Sequence, residues 1–109
     1  MAYDETLAQR IRTALDDVPA LTEKKMFGGI GFIVQGNMAC GVNGNSLIVR
    51  INPDQFEEAL RQPFVRLFDM TGRPMKGWII VDSEGVQSTE DLKRWVQQGV
   101  TFAQSLPPK

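Results

Sequence analysis

Residues 24–32, KKMFGGIGF, combine two adjacent lysines, an aromatic residue and three glycines within four positions. A phosphate-binding loop joins a strand to the N-terminus of a helix, where backbone N–H groups converge on the anion. Here the glycines lead into the apolar run Phe32–Val34, and the lysines precede the glycines rather than follow them. The pattern therefore disfavours a nucleotide loop and favours a bulge or tight bend at the start of a sheet.

Two interpretations of the side chains in this stretch stay open. In the first, Met26 and Phe27 belong to the core, and Lys24 and Lys25 are solvated. In the second, the two lysines belong to a surface that binds a partner. In both interpretations, Gly28 and Gly29 allow the backbone to bend.

Residues 71–77, TGRPMKG, form the second candidate site. Gly72 and Gly77 predict turns that present Arg73 and Lys76 outward. A planar guanidinium beside an ammonium group suits a carboxylate or a phosphate. The alternative is an ordinary loop before the next strand. Because binding residues are concentrated on loops, this segment is the preferred candidate for a binding site, and the ordinary loop stays open.

Charge is segregated along the chain although the formal net charge is −1. Residues 61–76 hold four basic side chains against one acid, whereas residues 82–91 hold acids and no base. Such segregation steers association and selects partners, although basic side chains also keep a sheet edge from pairing. The predicted binding surface, which would dock an acidic patch of a protein partner, comprises Lys24, Lys25, Arg66, Arg73 and Lys76.

The composition excludes several kinds of chemistry. Histidine is absent, which removes the commonest general base and the commonest metal ligand. We therefore expect no enzyme, no metal site and no cofactor. The single cysteine, Cys40, forms no intrachain disulfide and is expected to be a small buried hydrophobe. A pI of about 5.3 argues against tight, independent DNA binding.

The first half of the chain predicts a helix followed by a meander. Apolar residues at helical spacing, with Asp4 as the N-cap and Pro19 as the stop, predict a helix over Asp4–Asp17. Short apolar runs then alternate with the turn dipeptides Gly36-Asn37 and Asn43-Gly44. If both dipeptides are two-residue loops, one sheet face carries Phe32, Val34 and Ile48. The other face then carries Ile33, Met38, Cys40, Leu47 and Val49.

The second half predicts a helix, a strand and a helix. Asn52-Pro53-Asp54 is a helix start, Trp78–Val81 is a strand, and Ser88 or Thr89 caps the last helix. The whole order predicts an α+β fold with a mostly antiparallel sheet and about three flanking helices. We expect one domain over residues 1–105 and a short tail over 106–109. With no signal peptide and no apolar run of membrane length, we expect a cytoplasmic protein without a membrane partner.

Three segments together resemble the N-terminal domain of the TfoX/Sxy family of bacterial competence regulators. These segments are KKMFGGIGF, the hairpin GNMACGV and TGRPMKGW, and the resemblance extends over essentially the whole chain. It implies a bent sheet similar to that of secretion chaperones, and a homodimer. Full-length family regulators act with the cyclic-AMP receptor protein and carry a C-terminal domain, so we expect this chain to be a stand-alone version.

The residues and the resemblance together favour a non-enzymatic regulatory or adaptor domain, linked to transcription regulation of competence through protein contacts. Two alternatives stay open. One is a weak nucleic-acid-associated module that gains avidity as a dimer. The other is a small-molecule binder that uses the concave side of the sheet, for which the expected mark is a buried carboxylate near an arginine.

Overall fold

An antiparallel sheet of six strands is the centre of the computed structural model, which describes residues 3–26, 29–68 and 77–108. The strands lie in the order β1-β2-β3-β4-β6-β5, and every neighbouring pair is antiparallel. This arrangement confirms the predicted α+β class. The strand bounds are β1 Leu21–Met26, β2 Gly29–Val34, β3 Asn37–Asn43, β4 Ser46–Arg50, β5 Val65–Leu67 and β6 Trp78–Val81.

Three α-helices flank the sheet in the described part of the chain: α1 Glu5–Ala14, α2 Phe56–Leu60 and α3 Thr89–Ser105. The predicted capping residues are confirmed, because side-chain oxygens of Asp4, Asn52 and Ser88 accept backbone N–H groups at the starts of α1, of a 3-10 helix before α2, and of α3. Asn52 caps a short 3-10 helix, Pro53–Gln55, that leads directly into α2. A second 3-10 helix, Ser83–Val86, precedes α3.

Helix α1 ends at Ala14, three residues before the predicted end at Asp17. The N–H of the C-cap Leu15 closes the last turn on the carbonyls of Ile11 and Arg12. Asp16 and Asp17 follow directly, and negative side chains are unfavourable near the negative end of the helix dipole. The two acids therefore lie beyond the helix.

The predicted register of the meander was wrong at both turns. The first loop is Gln35-Gly36, with φ of +53° and +85°, so that Val34 pairs with Asn37 rather than Ala39. In the second hairpin Asn43 pairs with Ser46, which makes the loop Gly44-Asn45. Because side chains alternate along a strand, a shift of one residue moves a side chain to the other face.

The corrected register makes one face of the sheet continuous with the helices. A buried cluster joins side chains of α1, α2 and α3 to alternate residues of the strands. We call this side the helix-covered face. Its strand residues include Ile30, Phe32, Val34, Cys40, Val42, Leu47, Val49, Ile79 and Val81. The opposite side, here the outer face, carries Ile33, Met38, Ile48, Trp78 and Ile80.

A bulge in β3 fits the sheet to helix α3. The β2–β3 register shifts between Phe32 and Ile33, which leaves Ala39 without a direct partner on β2. The carbonyl oxygen of Ala39 faces Gly99 of α3, and a Cβ atom at Gly99 would overlap this oxygen. Helix and sheet therefore approach so closely that position 99 has no room for a side chain.

Two strands were not predicted from the sequence. Strand β1 reads LTEKKM, in which four consecutive polar residues hide any alternation of apolar and polar side chains. Strand β5 contains only Val65, Arg66 and Leu67, too few residues for a recognisable period. Both lie at the edges of the sheet, where short or charged strands are common.

Candidate partner-binding surface

Lys24 and Lys25 lie in β1, the strand at one edge of the sheet. Both side chains are exposed, and their positions alternate, since Lys24 pairs with Gly31 and Lys25 with Ile30. Lys24 therefore belongs to the outer face and Lys25 to the helix-covered face. Within residues 3–26, 29–68 and 77–108, neither lysine has an ion pair.

The neighbouring acid on the same strand is already neutralised. The Nε atom of Arg12 in α1 donates to both carboxylate oxygens of Glu23, at 3.0 and 2.9 Å. Glu5 lies 3.8 Å from the same guanidinium. The hydrogen bond to Glu23 raises the pKa of Arg12 above its ordinary value. The pair holds Glu23 toward α1, so that in the described part of the chain no acid compensates the positive charge of Lys24 and Lys25.

Arg66 lies at the opposite edge of the sheet, in β5. The strand order puts five strand spacings between β1 and β5, or roughly 24 Å along the sheet. The Nε atom of Arg66 donates to Oδ1 of Asp82 at 3.0 Å. The structure therefore does not bring Arg66 together with Lys24 and Lys25, and its charge is partly compensated.

The charge segregation read from the sequence is reduced in the folded chain. The Arg66–Asp82 pair joins the basic stretch to the acidic one. On α3, Asp91 also lies 3.8 Å from Arg94. The Arg66–Asp82 pair thus joins segments that are separate in sequence, whereas the Asp91–Arg94 pair lies within one turn of α3.

Arg73, Lys76, Gly72, Phe27 and Gly28 lie outside the described residues. The remaining glycines predicted to be structural are all described. Gly29 begins β2, and an added Cβ would overlap the Val42 carbonyl oxygen. Gly36 and Gly77 both have positive φ, +85° and +92°.

Asn37 was predicted to belong to the first turn, and this was wrong. It is the first residue of β3 and is buried, and its amide Nδ2 donates to the carbonyl oxygen of Pro107 at 3.0 Å. This bond fastens the segment after α3 to the sheet. The hydrogen bond accounts for an asparagine at position 37, which lies in a strand and not in a turn.

Arg50 is a cation that the sequence analysis missed. Its guanidinium carbon lies 5.5 Å from the centre of the Trp78 ring and 5.3 Å from that of Phe102. Both distances are within the range of a cation–π contact. Arg50 therefore connects the end of β4 to β6 and α3. Because the three residues are far apart in sequence, no local pattern could have signalled the contact.

Cys40 is fully buried on the helix-covered face, as predicted. Burial raises the pKa of its thiol to about 12, so the nucleophilic thiolate is suppressed at neutral pH. In the described part of the chain, the buried polar side chains are Asn37 and Ser46. The buried carboxylate expected of a small-molecule site in the sheet is therefore not found among the described residues.

Open grooves lie along the helices, and two of them are lined by described residues. One, of about 420 Å³, runs between α3 and the start of the first 3-10 helix, and Gln55, Arg94 and Phe102 contribute to its walls. The other, of about 180 Å³, lies between α1 and α3 beside Arg10 and Lys93. Among the described residues, no three acidic or cysteine side chains are grouped as a metal site would require. No described helix is long and apolar enough to cross a bilayer.

The fold and the surface describe a small α+β domain with one helix-covered face and a basic edge strand. The TfoX N-terminal domain family model matches residues 13–103, and the chain belongs to this family. The family is a regulatory, non-catalytic one related to competence. A comparison with curated proteins gives no significant match, and neither does a comparison with solved structures.

Proposed function

We propose that this chain is a non-catalytic adaptor domain of the cytoplasm that contributes to transcription regulation of competence by docking a protein partner. Lys24 and Lys25 of β1 carry one contact, and Arg73 and Lys76 of the TGRPMKG segment, which lies between β5 and β6 in the chain, contribute a second one. The observation that supports it is the basic edge of β1, where Arg12 neutralises Glu23 and two exposed lysines have no described ion pair. Such a surface attracts an acidic patch.

Arg66 contributes separately in this proposal. It lies at the far edge of the sheet and is paired with Asp82, so it cannot be part of a compact site around β1. Exposed ion pairs of this kind are weak, of order 0.2–1 kcal/mol. A partner carboxylate can therefore replace Asp82 at little cost.

We also propose that the domain forms a homodimer through its outer face. Ile33, Met38, Trp78 and Ile80 are half-buried there, whereas the described helices pack on the other face. An apolar sheet face of this kind is expected to be covered. Light scattering at high micromolar concentration should give a dimer, and Ile80→Lys should give a monomer. A monomeric parent chain would refute the dimer.

A pull-down from a nuclease-treated bacterial lysate, at low and at moderate salt, tests the adaptor function. Lys24→Glu with Lys25→Glu removes the contact at β1, and Arg73→Ala with Lys76→Ala removes the separate contact of the TGRPMKG segment. The matched control is Arg61→Glu with Lys93→Glu, which changes the net charge as much as the first variant at two other exposed positions.

We expect the parent and the control to retain one identified protein and both site variants to lose it. The purified partner should then bind directly to the parent. Retention by every variant would reject the site. If nucleic acid is retained in an untreated lysate and lost as salt rises, the domain is a nucleic-acid-associated module instead.

A further inference from the structure

Strand β1 offers more than charge to a partner, because it is an edge strand. It pairs with β2 along all six of its residues. In the described residues no strand pairs with its other side. An edge strand presents a row of backbone N–H and C=O groups that can template a further strand. The two exposed lysines therefore lie on a line of directional hydrogen-bonding groups.

The charges along this edge select what can pair with it. Lysines on an edge strand repel neutral or basic strands, which protects the protein against aggregation. The same lysines favour a strand that brings carboxylates. Lys24 and Lys25 belong to opposite faces, so two neighbouring residues of an incoming strand can each meet one ammonium group. The carboxylate of Glu23 does not repel such an acidic strand, because it is paired with the guanidinium of Arg12.

We propose that β1 binds an acidic, extended segment of a partner protein as an additional strand of the sheet. The segment carries two consecutive Asp or Glu residues opposite Lys24 and Lys25, and its backbone pairs with the open side of β1. This inference rests on the proposed adaptor function and specifies the partner's chemistry. A nucleic acid would satisfy the lysines but has no peptide N–H and C=O groups for the ladder.

Fluorescence anisotropy with short synthetic peptides tests both parts of the inference on the whole chain. The probe is a fluorescein-labelled peptide of Val and Thr residues around two central Glu residues. A second peptide has the same side chains but carries methyl groups on alternate backbone nitrogens, which prevents strand pairing. A third has Lys in place of Glu. Each is titrated with the parent, with Lys24→Glu plus Lys25→Glu, and with Arg61→Glu plus Lys93→Glu.

We expect the acidic peptide to bind the parent and the control alike. Binding should be at least about tenfold weaker, or 1.4 kcal/mol, for the methylated peptide and for the β1 variant. The Lys peptide should bind the β1 variant and not the parent. Hydrogen exchange of the amides of residues 21–26 should slow when the acidic peptide is bound.

Three results would overturn the inference, and each says something different about the adaptor function. Equal binding of the methylated peptide would leave a purely electrostatic contact, so strand addition fails and the adaptor surface stands. Equal binding by the β1 variant would remove the lysines from both proposals. If no acidic peptide binds at millimolar concentration while the pull-down retains its partner through Lys24 and Lys25, the partner presents a folded acidic surface rather than a strand.

Discussion

The two faces of the sheet have similar composition but different surroundings. On β6, Ile79 is fully buried against the helices, whereas its neighbour Ile80 is half-buried on the outer face. The two residues have the same side chain and adjacent backbone positions. Their difference therefore comes from what packs on each side, and it teaches that apolar character alone does not define the core.

The two edges of the sheet differ in a comparable way. Strand β1 is six residues long and charged, with Lys24 and Lys25 exposed. Strand β5 is three residues long, and it has an exposed apolar side chain in Leu67 and another directly before it in Phe64. One edge is protected by charge and the other by its shortness. Of the two, β1 offers both length and charge for selective binding.

The comparison of faces predicts the largest effect. Ile79→Ala should lower the free energy of unfolding by about 4 kcal/mol, since a fully buried residue loses its contacts and leaves a cavity. In the monomer, Ile80→Ala should cost about 1 kcal/mol, because its side chain is partly in contact with water when no second copy covers the outer face. Urea unfolding at a concentration low enough to keep the chain monomeric measures both. Equal losses would mean that the outer face is packed as tightly as the helix-covered one.

The contact of α3 with the bulge predicts the next effect. Gly99→Ala should destabilise the fold by about 3 kcal/mol, because the new Cβ overlaps the Ala39 carbonyl oxygen. In an ordinary helix interior the same change stabilises by about 1 kcal/mol. Gly44→Ala is the control. Its Cβ meets no atom within 4 Å, but its φ of +59° should cost about 1 kcal/mol. A stabilised Gly99→Ala variant would contradict this packing.

Burial of Cys40 on the helix-covered face predicts a pH dependence. In the folded chain the pKa of the thiol is about 12, against 9.0 ordinarily, so folding favours the neutral thiol. This contribution is complete below pH 9 and is lost as the pH rises from 9 towards 12. At pH 10.5 it should amount to a loss of about 2 kcal/mol relative to pH 8.

The reference for this measurement is Cys40→Ala, which retains every other titrating group. The difference in unfolding free energy between parent and variant should change with pH as described. Thiol reagents should label the parent only at the rate of unfolding. Fast labelling at pH 8 in the folded state would contradict the burial.

The edge of β1 predicts the smallest effect on stability. Lys24→Glu with Lys25→Glu should change the unfolding free energy by no more than about 0.5 kcal/mol, since both side chains are exposed. Urea unfolding of the two proteins at equal salt measures it. A loss of several kcal/mol would mean that the lysines stabilise the sheet, and binding data on this variant would then not report on the contact.

The sequence predicted most of the elements because their signals are local. Asp4, Asn52 and Ser88 mark helix starts through side chains that bond the nearest free N–H groups. The strand Trp78–Val81 was predicted with its final bounds, because a short apolar run followed by turn residues is a strong signal. For the candidate site, both interpretations of the sequence placed Lys24 and Lys25 at the surface, and both side chains are exposed.

What the sequence by itself determined is the class of fold, the caps and the burial of Cys40, since each depends on a few neighbouring residues. Tertiary structure decided the register, the helix-covered face, and the strands β1 and β5. A turn that is one residue earlier or later differs little in local energy, so the packing of α3 on the bulge selects between them. The ion pair of Glu23 with Arg12 also depends on tertiary structure, because it joins β1 to α1. Since this pair neutralises the acid of β1, the edge of the sheet becomes basic only when the chain folds.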